Sequence, residues 1–323
     1  MDKDETNEKV YDDIFEAIHE LEPGNPIYNC KAYGGSMIRH QIATLLQMSD
    51  GSVGAFILNP SMQYYRGEND IYPTCKANLF RIKDKEDRIV EQIKADDFIL
   101  FLKNCPENDT WLKQYGRIDY TALAQHYDFA TDMLDVSNDI IVAAFFATHY
   151  FDKEKLQYVV KSEGEGRIRW TFGLPEPDGR IHFIGLQPFA RPGRQSGYGI
   201  FMTEDDDFAT MGGSLRFRQN YELNMKFSRS ILQGEMFLPY EHIMQLVKVM
   251  KDSPCVTSMA VQQYCEEHKA AEEDIRQILQ KKKIMIVDAP VVGHEMLSSL
   301  QMTPGRQIKR VAVMRPAYRG ATK

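Results

Sequence analysis

Cysteine is scarce: five residues in 323, at 30, 75, 105, 255 and 265, with no CxxC pair to suggest zinc or a redox site, so they read as reduced thiols. Also missing is any run near the roughly 20 apolar residues needed to cross a bilayer. The first residues, MDKDETNEKVYDDIFEAI, are acidic and lack the apolar centre of a secretory signal. A cytoplasmic protein without membrane contact is expected. A basic excess is lacking too. The net charge of -7 argues against a general nucleic-acid binder, and only Arg306, Lys309, Arg310, Arg315 and Arg319 form a basic cluster. The chain shows no internal repeat and no low-complexity segment.

What is present is the composition of a globular protein with a large core: 43% hydrophobic and 26% charged residues. Val10, Ile14, Ile18 and Leu21 stand near helical spacing, predicting an amphipathic helix over 8–21 that the Pro-Gly-Asn-Pro run at 23–26 ends. Strands are expected around 53–57 and 63–66, with helices over 88–104 and 120–127. Residues 139–150 read DIIVAAFFATHY, apolar almost all round, and predict a buried helix with Ser137 or Asn138 as its N-cap. Strand character returns at 156–160, 168–172 and 181–186, around a turn at 175–179. A β-rich passage is expected over 215–236. Helices are expected at 240–250, 258–264 and 272–279, then a strand at 284–287. The class is α+β, and the short connectors favour a single domain.

Three polar groups interrupt the apolar pattern: Tyr64-Tyr65-Arg66-Gly67, Gln125-His126-Tyr127 and Asp135-Val136-Ser137. Arginine beside glycine at a strand end suits a phosphate clasp, because the guanidinium gives forked donors and glycine admits a ligand to the backbone. Ser137 stands where a following helix exposes free N–H groups that attract anionic oxygens. His126 has the ordinary pKa of a general base, or else ends a helix as a structural histidine. Asp135 either orients His126 or pairs with Arg66. The acidic run 204–207 lacks calcium-loop spacing and reads as a solvated turn. No metal site is expected.

Taken in order, Tyr65-Arg66-Gly67, Leu79-Phe80-Arg81, Gln125-His126-Tyr127, Thr131, Met133-Leu134-Asp135, Ser137 and the helix Val142 to Ala147 resemble the FRG family. Arg194-Gln195-Ser196-Gly197 extends the match downstream. The resemblance divides the chain into an N-terminal helical extension over 1–45, an FRG-like domain over 46–290 and a basic segment over 291–323. Asp132 stands where the family has arginine, Val136 where it favours tryptophan and Ser137 where it favours threonine.

More distantly, a strand-end arginine followed by a serine strand and a V-A-x-x-F-A helix is similar to ADP-ribosyltransferases of the Arg-Ser-Glu type. That resemblance implies a split β-sheet core with flanking helices and a pocket for NAD or a related nucleotide. Arg66 would hold the phosphates or ribose, and Ser137 would support the ribose and nicotinamide face. Tyr65, Gly67, Gln125, Thr131 and Asp135 would line the pocket. A late carboxylate would stabilise the ribosyl cation. Glu235, in Gln233-Gly234-Glu235, matches the transferase pattern, while Gln195 is the choice of the FRG-like alignment. The implied reaction is ADP-ribose transfer to a protein acceptor or NAD hydrolysis, in a setting of bacterial defence or toxin action; the alternative is a sensor module that binds a nucleotide or protein without catalysis.

Overall fold

The computed structural model describes residues 9–27, 31, 43–47, 53–57, 62–105, 107–115, 117–152, 154–155, 157–173, 180–289 and 313–314. In chain order its elements are β1 (Val10–Tyr11), α1 (Ile14–Leu21), β2 (Ala43–Gln47), β3 (Val53–Ile57), β4 (Gln63–Glu68), α2 (Asn78–Arg81) and α3 (Lys85–Lys103). There follow α4 (Glu107–Tyr115), α5 (Tyr120–His126), β5 (Met133–Ser137), α6 (Ile140–Thr148), β6 (His149–Asp152), β7 (Gln157–Val160), β8 (Glu165–Phe172) and β9 (His182–Phe183). Next come α7 (Ala190–Arg194), β10 (Gly197–Phe201), β11 (Gly213–Arg218), α8 (Tyr221–Ser230) and α9 (Ile243–Asp252). The last are β12 (Cys255–Thr257), α10 (Ser258–His268), α11 (Glu272–Lys281), β13 (Met285–Val287) and β14 (Val313–Met314).

The fold is mixed α and β, with helices flanking a seven-stranded sheet in the order β1-β11-β8-β4-β5-β10-β9. Only the β1–β11 pair is parallel; the other neighbours in that sheet run antiparallel. The period-2 alternation of strands puts Tyr65 in one core, with α1, α6 and Phe217, and Tyr64 in another, with Leu134, Val136 and Tyr198. A third core joins α3, α5 and α9 around Phe98, Tyr127 and Phe189. A fourth packs α10 and α11 on α3.

Local chemistry explains the element ends near the site. Asp13 caps α1 by accepting from the amides of Phe15 (2.8 Å) and Glu16 (3.1 Å). Helix α6 is buried almost all round, and its N-cap is Asp139, whose carboxylate accepts from Ile141 N. Neither Ser137 nor Asn138 holds that position; Ser137 Oγ accepts from the Asp139 amide one step earlier (3.1 Å). Gly67 lets α6 approach β4: a Cβ there would lie 1.8 Å from the Ala143 carbonyl oxygen.

The β-rich passage expected over 215–236 is β only as far as Arg218. Asn220 then accepts from Leu223 N, starting helix α8. Residues Leu232–Gly234 form a single 3₁₀ turn, with Leu232 and Gln233 at positive φ. The turn expected at 175–179 lies outside the described residues, as does the basic segment 291–323 apart from Val313–Met314. No helix among the described residues is long and apolar enough to cross a membrane.

Candidate functional site

Three antiparallel neighbours, β4, β5 and β10, build the site. Tyr65 is the Cα partner of Ser137, and Ser137 is the partner of Gly197. This register lines up the ends that carry Arg66, Ser137 and Gln195. All three line one cleft of about 2380 Å³, together with Tyr65, Gly67, Gln125, His126, Asp135 and Glu235. The volume exceeds the roughly 300–1,000 Å³ of an ordinary small-ligand pocket, so a nucleotide would occupy only part of it. Thr131 stands behind the wall and does not line it.

Arg66 is held by a chain of side chains. Its Nη1 donates to Asp135 Oδ1 at 2.8 Å and to the Asp135 carbonyl at 2.7 Å. Asp135 Oδ1 also accepts from Gln125 Nε2 (3.0 Å), and Gln125 Oε1 accepts from Thr131 Oγ1 (2.8 Å). Burial alone would raise the Asp135 carboxyl, but Arg66, His126 and Gln125 outweigh it and hold the group down at about 2. Of the two roles open for Asp135, the structure therefore shows the pairing with Arg66. Among the described residues, Nη1 is the only guanidinium nitrogen of Arg66 with a partner. Nε and Nη2 make no hydrogen bond among the described residues.

Ser137 is 4% exposed, and its hydroxyl is already engaged. It donates to the Gln195 carbonyl at 2.6 Å while accepting from Asp139 N. Gln195 is buried too, and its Nε2 donates to the Phe237 carbonyl at 3.3 Å. The Tyr65 ring is buried, and its hydroxyl donates to Glu22 at 2.9 Å. Both Ser137 and Tyr65 thus shape the cleft more than they present free polar atoms to it.

His126 ends α5, with its ring edge against Gly197, where a Cβ would come within 3.0 Å of Nε2. Burial pushes its imidazole below the ordinary range; Asp135 opposes that and Arg191 reinforces it, so the ring is neutral at pH 7. Its Nε2 has no hydrogen-bond partner among the described residues.

Residues 61–156 match the family model of the FRG domain. The matched FRG segment runs from the start of β4 to the β6–β7 connection and carries Arg66, Gln125, His126, Asp135 and Ser137. No curated protein and no solved structure matches the chain.

The two candidates for the third element differ in placement. Glu235 is exposed on the cleft rim, in the turn after α8, and its carbonyl accepts from Arg194 Nη1 at 3.0 Å. It sits on no strand. Gln195 is buried and bonded to Ser137 through its carbonyl.

Two groups in the same cleft escape sequence reading. Arg191 lies beside Glu241 (3.7 Å) and over the Tyr127 ring (5.2 Å). Tyr158, on the β6–β7 hairpin, packs among Phe145, Phe146 and Phe151. An arginine inside a short Ala-Arg-Pro-Gly helix and a tyrosine in an ordinary strand carry no local signal of convergence with Arg66. Among the described residues, no group of three or more His, Cys, Asp and Glu is placed to hold a metal ion.

Proposed function

We propose that the cleft binds NAD or a related nucleotide and breaks its nicotinamide–ribose bond, passing ADP-ribose to a protein acceptor or to water. The observation that carries this reading is the side-by-side register of β4, β5 and β10, which brings Arg66 and Ser137 to one cleft with spare guanidinium donors on Arg66. The arginine, pre-set by Asp135, clasps a phosphate through Nε and Nη2. Ser137 fixes the wall below the ribose by tying β5 to Gln195. As the C–N bond breaks, its electron pair leaves with nicotinamide, and the ribosyl cation is stabilised by the Glu235 carboxylate at the rim. Water or an acceptor nucleophile then adds to the ribosyl carbon and releases a proton.

One observation favours a second reading, a nucleotide- or protein-binding module without catalysis: Glu235 is exposed, and Asp135 spends its charge on Arg66. Incubating the folded protein with NAD and measuring free nicotinamide separates the two. The catalytic reading expects release that falls roughly 100-fold or more in Arg66→Ala and Glu235→Gln. Binding of NAD without nicotinamide release gives the second reading instead. A folded wild-type protein that neither binds nor consumes NAD removes the catalytic reading and the nucleotide-binding form of the second. In bacterial cells, the defence or toxin setting expects growth arrest on expression that the same two substitutions relieve.

A further inference from the structure

Arg191 and Tyr158 are the two cleft groups for which the reading above has no task, and each has a feature that packing alone leaves unexplained. Arg191 is held from behind. Its guanidinium rests on the Tyr127 ring, and Glu241, 3.7 Å from its Nε, is itself fixed by the Tyr127 hydroxyl (2.8 Å) and the Ala190 amide (2.7 Å). No hydrogen bond to any guanidinium nitrogen of Arg191 is made among the described residues, and its side chain is only 14% exposed. A largely desolvated guanidinium with no hydrogen bond is costly unless a ligand completes it.

Tyr158 poses the matching question. Its ring sits in an aromatic cluster, with centroids 5.3 Å from Phe145, 5.8 Å from Phe146 and 5.3 Å from Phe151. Phenylalanine would serve that packing equally well. The half-buried ring lines the cleft, and among the described residues its hydroxyl makes no hydrogen bond, so it is open to a ligand there. Tyr158, Arg191 and Arg66 line the same cleft. Burial pushes the phenol up to about 12, which keeps its proton in place as a donor at neutral pH.

We propose that Arg191 and the Tyr158 hydroxyl form a second anion subsite in the cleft that holds Arg66, so that the ligand is one carrying two linked anionic groups, a diphosphate. This rests on the nucleotide reading for the identity of the rest of the ligand, but not for the diphosphate itself. The two arginines share one architecture: a carboxylate behind each guanidinium fixes its direction and leaves other nitrogens for the ligand. Arg66 takes one phosphoryl group, and Arg191 with Tyr158 takes the other.

The test is calorimetric titration of the full chain with inorganic pyrophosphate, inorganic phosphate, ADP and AMP. Arg191→Ala is expected to weaken pyrophosphate and ADP by roughly 10- to 100-fold, the loss of a charge-assisted contact, and AMP by less than about 3-fold. Arg66→Ala is expected to weaken all four. Because Arg191 also packs on Tyr127, Tyr158→Phe is the second variant: it keeps the aromatic cluster and is expected to lose roughly 3- to 10-fold in ADP affinity with unchanged thermal stability. With NAD titrated alongside, Arg191-dependent pyrophosphate binding without ADP or NAD binding upholds the subsite and overturns the nucleotide reading. ADP or NAD binding that is unaltered in folded Arg191→Ala and in Tyr158→Phe overturns the subsite alone, as does equal weakening of ADP and AMP. No binding of any of these by the wild-type protein overturns both.

Discussion

The Arg66–Asp135 pair makes a quantitative demand on stability. The folded protein holds the Asp135 carboxyl at about 2 against an ordinary 3.8, even though burial acts in the opposite direction. At about 1.4 kcal/mol per pKa unit, the charged form keeps a net advantage of roughly 2–3 kcal/mol after the cost of burial, with Arg66 its largest favourable partner. The side chains of Arg66 and Asp135 are 17% and 25% exposed, so this is below the 3–5 kcal/mol (approximate) that follows from breaking a fully buried pair. A depressed carboxyl contributes fully above its unfolded value and loses the contribution as pH falls through its folded value. Asp135→Asn keeps the shape and removes the charge. It is therefore expected to cost about 2–3 kcal/mol at pH 7, measured by urea unfolding, with the gap to wild type roughly halved by pH 3. Wild-type stability in Asp135→Asn at pH 7 would refute the reasoning, and so would a gap that does not change with pH. The same substitution removes the charged one of the two Arg66 anchors and leaves the bond to the backbone carbonyl of residue 135, so ligand affinity should fall along with stability.

Other substitutions test other parts of the site. Gly67→Ala puts a Cβ 1.8 Å from the Ala143 carbonyl, in contact with backbone that cannot yield, and a loss of about 4 kcal/mol or failure to fold is expected in soluble-expression and melting assays. Gly197→Ala meets the His126 ring and the Pro192 carbonyl at 3.0 and 3.1 Å, for a milder loss of about 1–3 kcal/mol. Ser137→Ala removes a hydroxyl bonded on both sides and should cost about 1–3 kcal/mol in chemical unfolding while leaving NAD or ADP affinity nearly unchanged. His149 is buried, bonded to Ser228 Oγ and the Phe145 carbonyl, and burial holds its imidazole down at about 4. Since a depressed histidine stabilises above its unfolded value of 6.5, about 3 kcal/mol of stability should drain away between pH 6.5 and 4, and His149→Gln should flatten that part of the pH profile.

How far the fold was legible follows from which forces act locally. Helices α3, α5, α6, α9, α10 and α11 fall within a few residues of their expected places, because periodic apolar spacing is written in the chain itself, while α1 begins at Ile14 and not at residue 8. Val10 carries the period of α1 yet belongs to β1, since its parallel pairing with Arg216 is a contact more than 200 positions away. The same blindness explains the passage after Leu215. Its apolar residues alternate well enough for a strand, but the Asn220 side chain caps the next amides and turns the backbone into α8. Once α8 is a helix, Glu235 is carried to the rim of the cleft and never joins the sheet.

The site divides along the same line. Arg66, Gln125, His126, Asp135 and Ser137 lie within one matched stretch, and their polarity among apolar neighbours made them visible. Their division of labour was not visible, because it depends on which strand ends meet. The register of Tyr65 with Ser137 gives Asp135 to Arg66, and the register of Ser137 with Gly197 gives the serine hydroxyl to Gln195. A serine so engaged holds strands together, and a glycine pressed against Ala143 seats a helix; both are architecture beneath a site whose open donors belong to arginine. On the proposed reading, Arg66 paired with Asp135 and Arg191 beside Glu241 hold the anion whether or not Glu235 performs chemistry. The proposed recognition and the proposed catalysis are therefore separable by substitution. Arg66→Ala should remove both, whereas Glu235→Gln should remove nicotinamide release and spare affinity, and a Glu235→Gln protein that binds as weakly as Arg66→Ala would show that the rim carboxylate belongs to the binding wall.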